Sequence, residues 1–127
     1  MQTFFGQCHC GANRFKVEAL VDHLRMCDCS VCRRRGALIF RVAPNAIQFL
    51  TSFDNLICYR WGSGTGADYF CSSCGILPFR TPSAPTLAER EAGVLSFSGW
   101  AVNARCIDDL DLDALPHVRI LGSQITI

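Results

Sequence analysis

The chain contains 127 residues, of which half are apolar and 18% are charged, and its formal net charge is +1. This length predicts a single domain spanning residues 1–127, and the apolar content excludes a disordered chain. The near-neutral charge provides no general attraction to nucleic acid or to an acidic membrane surface, and no apolar run approaches the roughly 20 residues of a membrane-spanning helix. We therefore expect neither nucleic acid nor membranes among its partners.

The cysteine content is the most unusual feature of the composition. There are nine cysteines, and seven of them lie in three tight groups, whereas a disulfide framework favours an even count in a secreted chain. The amino terminus shows no basic segment followed by an apolar one, so we predict a cytoplasmic location. Clustered thiols in a reducing compartment indicate a metal site, and we expect zinc rather than an iron–sulfur centre.

The first part of the chain is predicted to consist of short strands that deliver cysteines. Alternating polar and apolar residues indicate half-buried strands, and Gly36 is placed to end one helical turn over residues 30–35. The predicted strands of this part are residues 3–7, 13–18, 23–27 and 37–42.

The second part is also predicted to be mainly strands. Residues 46–51 and 55–61 are expected to pair as a hairpin, and Asp68 is expected to be a turn residue. Pro78 indicates that its strand lies at a sheet edge, because proline donates no hydrogen bond to a ladder. Residues 81–93 are expected to form an irregular surface loop. Further strands are predicted at residues 94–97, 101–107 and 117–121, with a helical turn at 110–115. Many short strands with almost no helix predict an all-β fold.

Three closely spaced cysteines, Cys27, Cys29 and Cys32, have the spacing of a metal site. Residues i and i+2 of an extended chain share a face, and a C-x-x-C knuckle brings its two sulfurs together. Three sulfurs of this one segment can therefore reach the same zinc ion without a ligand from another part of the chain. The fourth tetrahedral position would then be open, as in catalytic zinc sites.

Three arginines, Arg33, Arg34 and Arg35, follow directly. They are placed to offset the negative charge of a zinc site with three thiolates, and to attract a thiol that carries a carboxylate, such as glutathione. We predict them as substrate-binding residues, with a solvated turn face as the alternative.

Four more cysteines come from two distant segments, in the pairs Cys8-x-Cys10 and Cys71-x-x-Cys74. Four thiolates suit a closed tetrahedral zinc that holds the two segments together. The glycine after the second pair, Gly75, suits a knuckle that needs a positive φ angle.

Spacing alone does not decide which pairs share a metal. The amino-terminal pair would also suit Cys29 and Cys32, as in an ordinary zinc ribbon. Cys27 and the second knuckle would then need Cys58 or Cys106 as a further ligand. In the other arrangement, Cys58 and Cys106 are expected to be buried thiols without a metal role.

The motifs resemble those of the glutathione-dependent formaldehyde-activating enzyme (Gfa) and centromere protein V family. The resemblance covers nearly the whole chain and places seven cysteines in register, and residues 102–108 resemble the closing segment of that family. The motifs that carry it are Cys8-His9-Cys10-Gly11, Cys27-x-Cys29-x-x-Cys32-Arg33-Arg34, and Cys71-x-x-Cys74-Gly75 followed by Pro78-Phe79-Arg80.

The resemblance implies a β-tent fold, in which two antiparallel sheets are joined around zinc. It implies two zinc ions per chain and favours the first of the two arrangements. It implies a structural zinc held by Cys8, Cys10, Cys71 and Cys74, and a catalytic zinc held by Cys27, Cys29 and Cys32.

The resemblance also implies a reaction, the joining of glutathione to formaldehyde to give S-hydroxymethylglutathione, or the reverse cleavage of a carbon–sulfur bond. We therefore expect a zinc-dependent carbon–sulfur lyase that acts on a thiol–aldehyde adduct, with a small-molecule thiol as its partner. The alternative is a non-catalytic binding module for a protein or a small ligand, in which zinc only holds the scaffold together.

Overall fold

The protein folds into two β-sheets with little helix. The structure is a computed structural model that describes residues 1–121, so residues 122–127 of the predicted domain lie outside it. The described part has two short α-helices, α1 (Ser30–Arg35) and α2 (Leu87–Glu91), and neither has the length and apolar character needed to cross a bilayer. The strands are β1 (Gln2–Gln7), β2 (Arg14–Ala19), β3 (Leu24–Cys27), β4 (Ile39–Val42), β5 (Ile47–Phe49), β6 (Leu56–Tyr59), β7 (Ala67–Cys71), β8 (Phe79–Thr81), β9 (Trp100–Asn103) and β10 (His117–Ile120). The predicted all-β class with two sheets and minimal helix is confirmed.

The smaller sheet has the strand order β1-β2-β5, and both of its strand pairs are antiparallel. Its central strand alternates as the sequence predicts: Phe15 and Val17 are fully buried, whereas Arg14 and Glu18 are exposed. Because side chains on a strand alternate between faces, one face of this sheet turns inward to the core.

The larger sheet has the strand order β10-β3-β4-β9-β8-β7-β6, and its pairs are antiparallel except for the parallel pair of β10 and β3. An isolated β-bridge joins Gly6 of β1 in the smaller sheet to Ile107, which follows strand β9 of the larger sheet. The two sheets share one core, and its larger members are Phe4, Phe15, Val17, Leu24, Leu38, Phe40, Val42, Phe79, Val102 and Ile107.

The predicted hairpin of residues 46–51 and 55–61 is wrong. Strand β5 pairs with β2 in the smaller sheet, whereas β6 pairs with β7 in the larger one. A 3-10 turn, Phe53–Asn55, lies between β5 and β6. Ile47 and Phe49 are partly buried against the core in this arrangement, and a local hairpin would not place them there.

The strand that follows Pro78 is not at an edge, contrary to prediction, because β8 lies between β7 and β9. Pro78 precedes the first residue of β8, so its missing N–H removes no donor from that strand. Its carbonyl accepts a hydrogen bond from the backbone N–H of Asn103.

The segment predicted as an irregular loop at 81–93 contains the helix α2. A capping box starts this helix: the Thr86 side chain accepts from the backbone N–H of Glu89, and the Glu89 carboxylate accepts from that of Thr86. The strand predicted at 94–97 is absent from the described structure. The N–H of Val94 instead donates to the carbonyl of Glu89 at the end of α2.

Candidate metal centres

Cys8, Cys10, Cys71 and Cys74 form a four-sulfur cluster, in which all Sγ atoms lie within 4.8 Å of one another. The Cys8 and Cys10 sulfurs are 3.7 Å apart, and those of Cys10 and Cys71 are 3.6 Å apart. Sulfurs placed about 2.3 Å from a tetrahedral zinc are separated by about 3.8 Å. The cluster therefore has the spacing that zinc requires.

Backbone geometry places the second pair of this cluster. Cys71 is the last residue of β7, and Gly75 returns a hydrogen bond to its carbonyl with a φ of 78°. The pKa of the Cys71 thiol is lowered to about 6, first because the N–H of Cys74 donates to its sulfur and also because that of Ser73 does. These donors favour the thiolate, which is the form that binds metal.

Asn13 lies beneath the first pair and is almost completely buried. Its side-chain amide donates to the Cys8 sulfur at 3.7 Å and to the carbonyl of Asn55 at 3.3 Å. When this sulfur is a thiolate, the amide donor stabilises its negative charge and fixes the orientation of the cysteine as a ligand. Asn13 thereby supports the four-sulfur cluster without belonging to it.

Cys27, Cys29 and Cys32 form a three-sulfur cluster, whose Sγ atoms also lie within 4.8 Å of one another. Cys27 ends β3, Cys29 caps the start of α1, and Cys32 lies within the helix. The backbone N–H of Cys29 donates to the Cys27 sulfur and that of Cys32 to the Cys29 sulfur, each at 3.5 Å. The strand-to-helix junction thus draws the three sulfurs together.

The crowding of these three thiols favours a bound cation. The pKa of the Cys32 thiol is strongly raised, first by its hydrogen bond with Cys27, then by burial and by Cys29. Three thiolates this close repel one another, so they lose their protons together only if a positive charge sits among them. This donor set is compatible with zinc.

Within residues 1–121, no fourth cysteine, histidine or carboxylate joins the three-sulfur cluster. Residues 122–127 contain none of these residue types. Of the remaining cysteines, Cys106 is a buried thiol as expected, 3.8 Å from the carbonyl of Leu77. Cys58 was expected to be buried but is exposed, because β6 is the last strand of the larger sheet and its outer residues are uncovered.

All three cysteines of this cluster line a cavity of about 180 Å³. We call it the arginine cavity, because four guanidinium side chains line it together with Trp61 and the start of α2. The four arginines are Arg25, Arg35, Arg41 and Arg80. They come from β3, α1, β4 and β8, so the larger sheet and its helix build the cavity together.

The three arginines predicted to bind substrate have separate locations. Arg35 lines the arginine cavity. Arg34 donates to the carbonyl and hydroxyl of Ser30 on its own helix. Arg33 lines a different groove, which Cys27 and Cys32 also border. Of the three arginines, only Arg35 therefore lines the cavity that all three cysteines of the cluster line.

Asp68 was expected to be a turn residue, but it lies in β7 and is fully buried. Its Oδ1 accepts from Nε of Arg80 at 2.6 Å, and its Oδ2 accepts from Nη2 of Arg35 at 3.0 Å and from Nε1 of Trp61 at 2.8 Å. The glycine-rich segment before it suggested a turn. A carboxylate between apolar residues of a strand is the signal that would have indicated a buried, paired acid.

A comparison with known families identifies the chain. The family model described as glutathione-dependent formaldehyde-activating enzyme matches residues 3–103, which include every cysteine of the two clusters. The chain belongs to this family. The Gfa-family chain is also similar to a crystal structure of a Rhodobacter sphaeroides protein, with 28% sequence identity and a TM-score of 0.70. The match covers 90% of this chain and 99% of that one.

Within this Gfa-family fold, the two clusters differ in surroundings. The four-sulfur cluster joins the end of β1 to the end of β7, and Cys8 and Cys71 in it are buried. The three-sulfur cluster lies at the rim of a positively charged cavity. Cys10 is exposed and Cys74 is half-buried, and in the three-sulfur cluster Cys29 is buried while the other two cysteines are half-buried. The clusters therefore differ in ligand number and in the charge around them rather than in overall exposure.

Proposed function

We propose that this chain is a zinc-dependent carbon–sulfur lyase that acts on a thiol–aldehyde adduct such as S-hydroxymethylglutathione. One observation carries the proposal: three sulfurs converge beside a cavity, and the described residues provide no fourth ligand. Family membership supports the same reaction class. A cytoplasmic location and a small-molecule thiol partner stay predictions.

Each cluster has its own role in this proposal. Cys8, Cys10, Cys71 and Cys74 hold a structural zinc, because four thiolates complete a tetrahedron. Cys27, Cys29 and Cys32 hold a catalytic zinc, because three thiolates leave a position for the substrate. When bound there, zinc supplies Lewis-acid activation of the substrate thiol.

The residues around the three-sulfur cluster contact the parts of the substrate other than its sulfur. Arg35 and Arg80 both line the cavity and both contact Asp68, and their guanidinium groups provide positive charge for an anionic thiol. A substrate held by its carboxylates would have its sulfur delivered to the cluster at high effective concentration. The arginine side chains thus bind and orient the substrate.

The proposed reaction balances without an oxidant or a reductant. In the direction of addition, the sulfur of the thiol forms a bond to the carbonyl carbon of the aldehyde, and the π bond of the carbonyl breaks. The proton leaves the thiol and ends on the carbonyl oxygen, which becomes the hydroxyl of the adduct. In the cleavage direction, the carbon–sulfur bond breaks and the proton returns to sulfur.

The experiment that tests this proposal measures metal content and exchange rate in one set of variants. Native mass spectrometry is expected to find about two zinc ions per wild-type chain and about one in Cys29→Ser, with the fold retained. Exchange NMR of glutathione, formaldehyde and their adduct is expected to show acceleration over buffer for the wild type and none for Cys29→Ser. Cys58→Ser, which removes an exposed cysteine outside both clusters, serves as the control and retains both properties.

Two results would count against the proposal in different ways. Loss of both metals from Cys29→Ser would mean one shared structural assembly rather than two sites. A wild-type chain that holds two zinc ions but leaves the exchange rate at its buffer value would favour the non-catalytic binding module.

A further inference from the structure

Asp68 connects three side chains that come from different elements. Arg35 is on α1, Arg80 is on β8, and Trp61 lies between β6 and β7. All three hydrogen-bond to the one buried carboxylate, and all three line the arginine cavity. Asp68 itself has no exposed surface and does not line the cavity. Asp68 can therefore affect the cavity only through the three side chains that it contacts.

Each of the two arginines uses one N–H group on Asp68, and within residues 1–121 no hydrogen bond engages its other N–H donors. Arg80 uses Nε and Arg35 uses Nη2, and an arginine has five N–H donors in a planar fork. The Arg80 guanidinium also lies 5.9 Å from the Trp61 ring centre. Long side chains held in this way lose less entropy when a ligand binds, so the remaining donors are pre-organised for an anion.

Charge in the cavity also favours an anionic ligand. Asp68 balances one of its two arginine partners, and Glu89 is engaged in the capping box of α2. Within residues 1–121, Arg25 and Arg41 form no ion pair. Burial, Arg25 and Arg80 together lower the pKa of Arg41. Three thiolates (−3) and one zinc ion (+2) would add a net charge of −1, so four arginines still outweigh Asp68, Glu89 and the cluster, and the cavity has more positive than negative charge.

We propose that Asp68 is a positioning residue, which holds Arg35 and Arg80 so that the arginine cavity recognises a carboxylate of the substrate thiol. The inference rests on the proposed function, since it concerns the same site. A planar carboxylate matches the fork of an arginine, and such charge-assisted hydrogen bonds are strong and directional. Asp68 thereby raises the affinity of the cavity for a carboxylate-bearing ligand without contacting that ligand.

The test compares binding of two probes that lack a free thiol, so no reaction takes place. S-methylglutathione carries two carboxylates, and its diethyl ester carries none. By calorimetry with the zinc-loaded wild type, we expect the acid to bind at least about tenfold more tightly than the ester. Asp68→Asn is expected to bring the two affinities within about threefold of each other without changing the zinc content.

A second variant keeps the proposal testable if Asp68→Asn fails to fold. Arg80→Lys retains both the positive charge and Asp68, but it loses the fork that contacts two acceptors together. The same loss of preference for the acid is expected. Arg14→Lys is the matched control, because Arg14 is exposed and does not line the cavity; it retains the wild-type preference.

The alternatives give different results. A merely structural role for Asp68 would weaken the acid and the ester equally and keep their ratio, which would overturn the proposal. Failure of the wild type to prefer the acid would overturn it as well. A chain that prefers the acid but does not accelerate adduct exchange would refute the lyase function and leave this inference intact.

Discussion

A buried carboxylate stays ionised only where protein donors replace the water that it has lost. Burial by itself would raise the pKa of Asp68, but the hydrogen bond and charge of Arg80, together with Trp61 and Arg35, hold that pKa below its usual value. An unfolded aspartate has a pKa of about 3.9. The folded pKa is lower still, so the carboxylate contributes its full stability above about pH 4 and loses it only as the pH falls through the folded pKa.

The lowered pKa of Asp68 leads to a prediction for Asp68→Asn in the metal-loaded protein. The variant leaves two arginines beside a neutral amide, so we expect the free energy of unfolding to fall by about 3 to 5 kcal/mol. Urea unfolding at several pH values is expected to give a constant difference from wild type between about pH 6 and pH 8. A difference that shrinks within this range would mean a raised pKa. The exposed acid Asp54 provides the control substitution, Asp54→Asn, which is expected to change little.

For single residues, the sequence predicts the cysteine ligands better than it predicts the residues that surround and position them. Thiols such as Cys71 and Cys74 are recognisable because metal geometry imposes a short spacing that chance rarely produces. Asp68 and Arg80 meet only because β7 pairs with β8, where they are directly opposite. No local pattern encodes that register, so the cavity wall could not be predicted from the sequence.

Among the elements, α1 contributes most to the candidate site. It carries Cys32 and Arg35, and it starts at the cap residue Cys29. It ends at Gly36, whose φ is 69° and whose N–H donates to the carbonyl of Cys32. The sequence predicts this turn and its end, because a glycine after a helical run is a local signal.

Gly36 therefore allows a prediction about this helix. An added Cβ would meet no atom within 4 Å, so substitution costs only backbone strain. We expect Gly36→Ala to lower the free energy of unfolding by about 1 to 2 kcal/mol, because alanine disfavours a positive φ. Gly36→Asn is the matched variant and should cost less, since asparagine tolerates this conformation. Equal losses in chemical denaturation of the two variants would contradict this explanation.

Other elements show where local signals fail. The capping box of Thr86 and Glu89 is visible in the sequence, yet the prolines before it suggested a loop. Strand β5 is compatible with a local hairpin by its pattern, but it joins β2 through contacts far along the chain. Partner choice between strands depends on which faces the whole fold buries, and this information is not local.

On the scale of the whole molecule, the four-sulfur cluster connects the smaller sheet to the larger one. It brings the residues after β1 beside the end of β7, and an isolated β-bridge joins Gly6 of β1 to Ile107, which follows β9. The sequence allowed two ways to distribute the cysteine pairs. Spacing alone did not decide between them, whereas the family resemblance favoured the first, and the positions of the strands place Cys8 and Cys10 beside Cys71 and Cys74.

The two clusters therefore predict opposite responses to the loss of one ligand. We expect Cys71→Ser to unfold the chain, because a structural zinc contributes on the order of 10 kcal/mol to the folding of a small domain. Cys32→Ser is the matched variant at the other cluster, and it should remain folded because the four-sulfur cluster still joins the sheets. Circular dichroism and thermal melting with zinc present would show the contrast. If Cys71→Ser kept a cooperative transition near that of Cys32→Ser, the larger cluster would not be what holds the two sheets together.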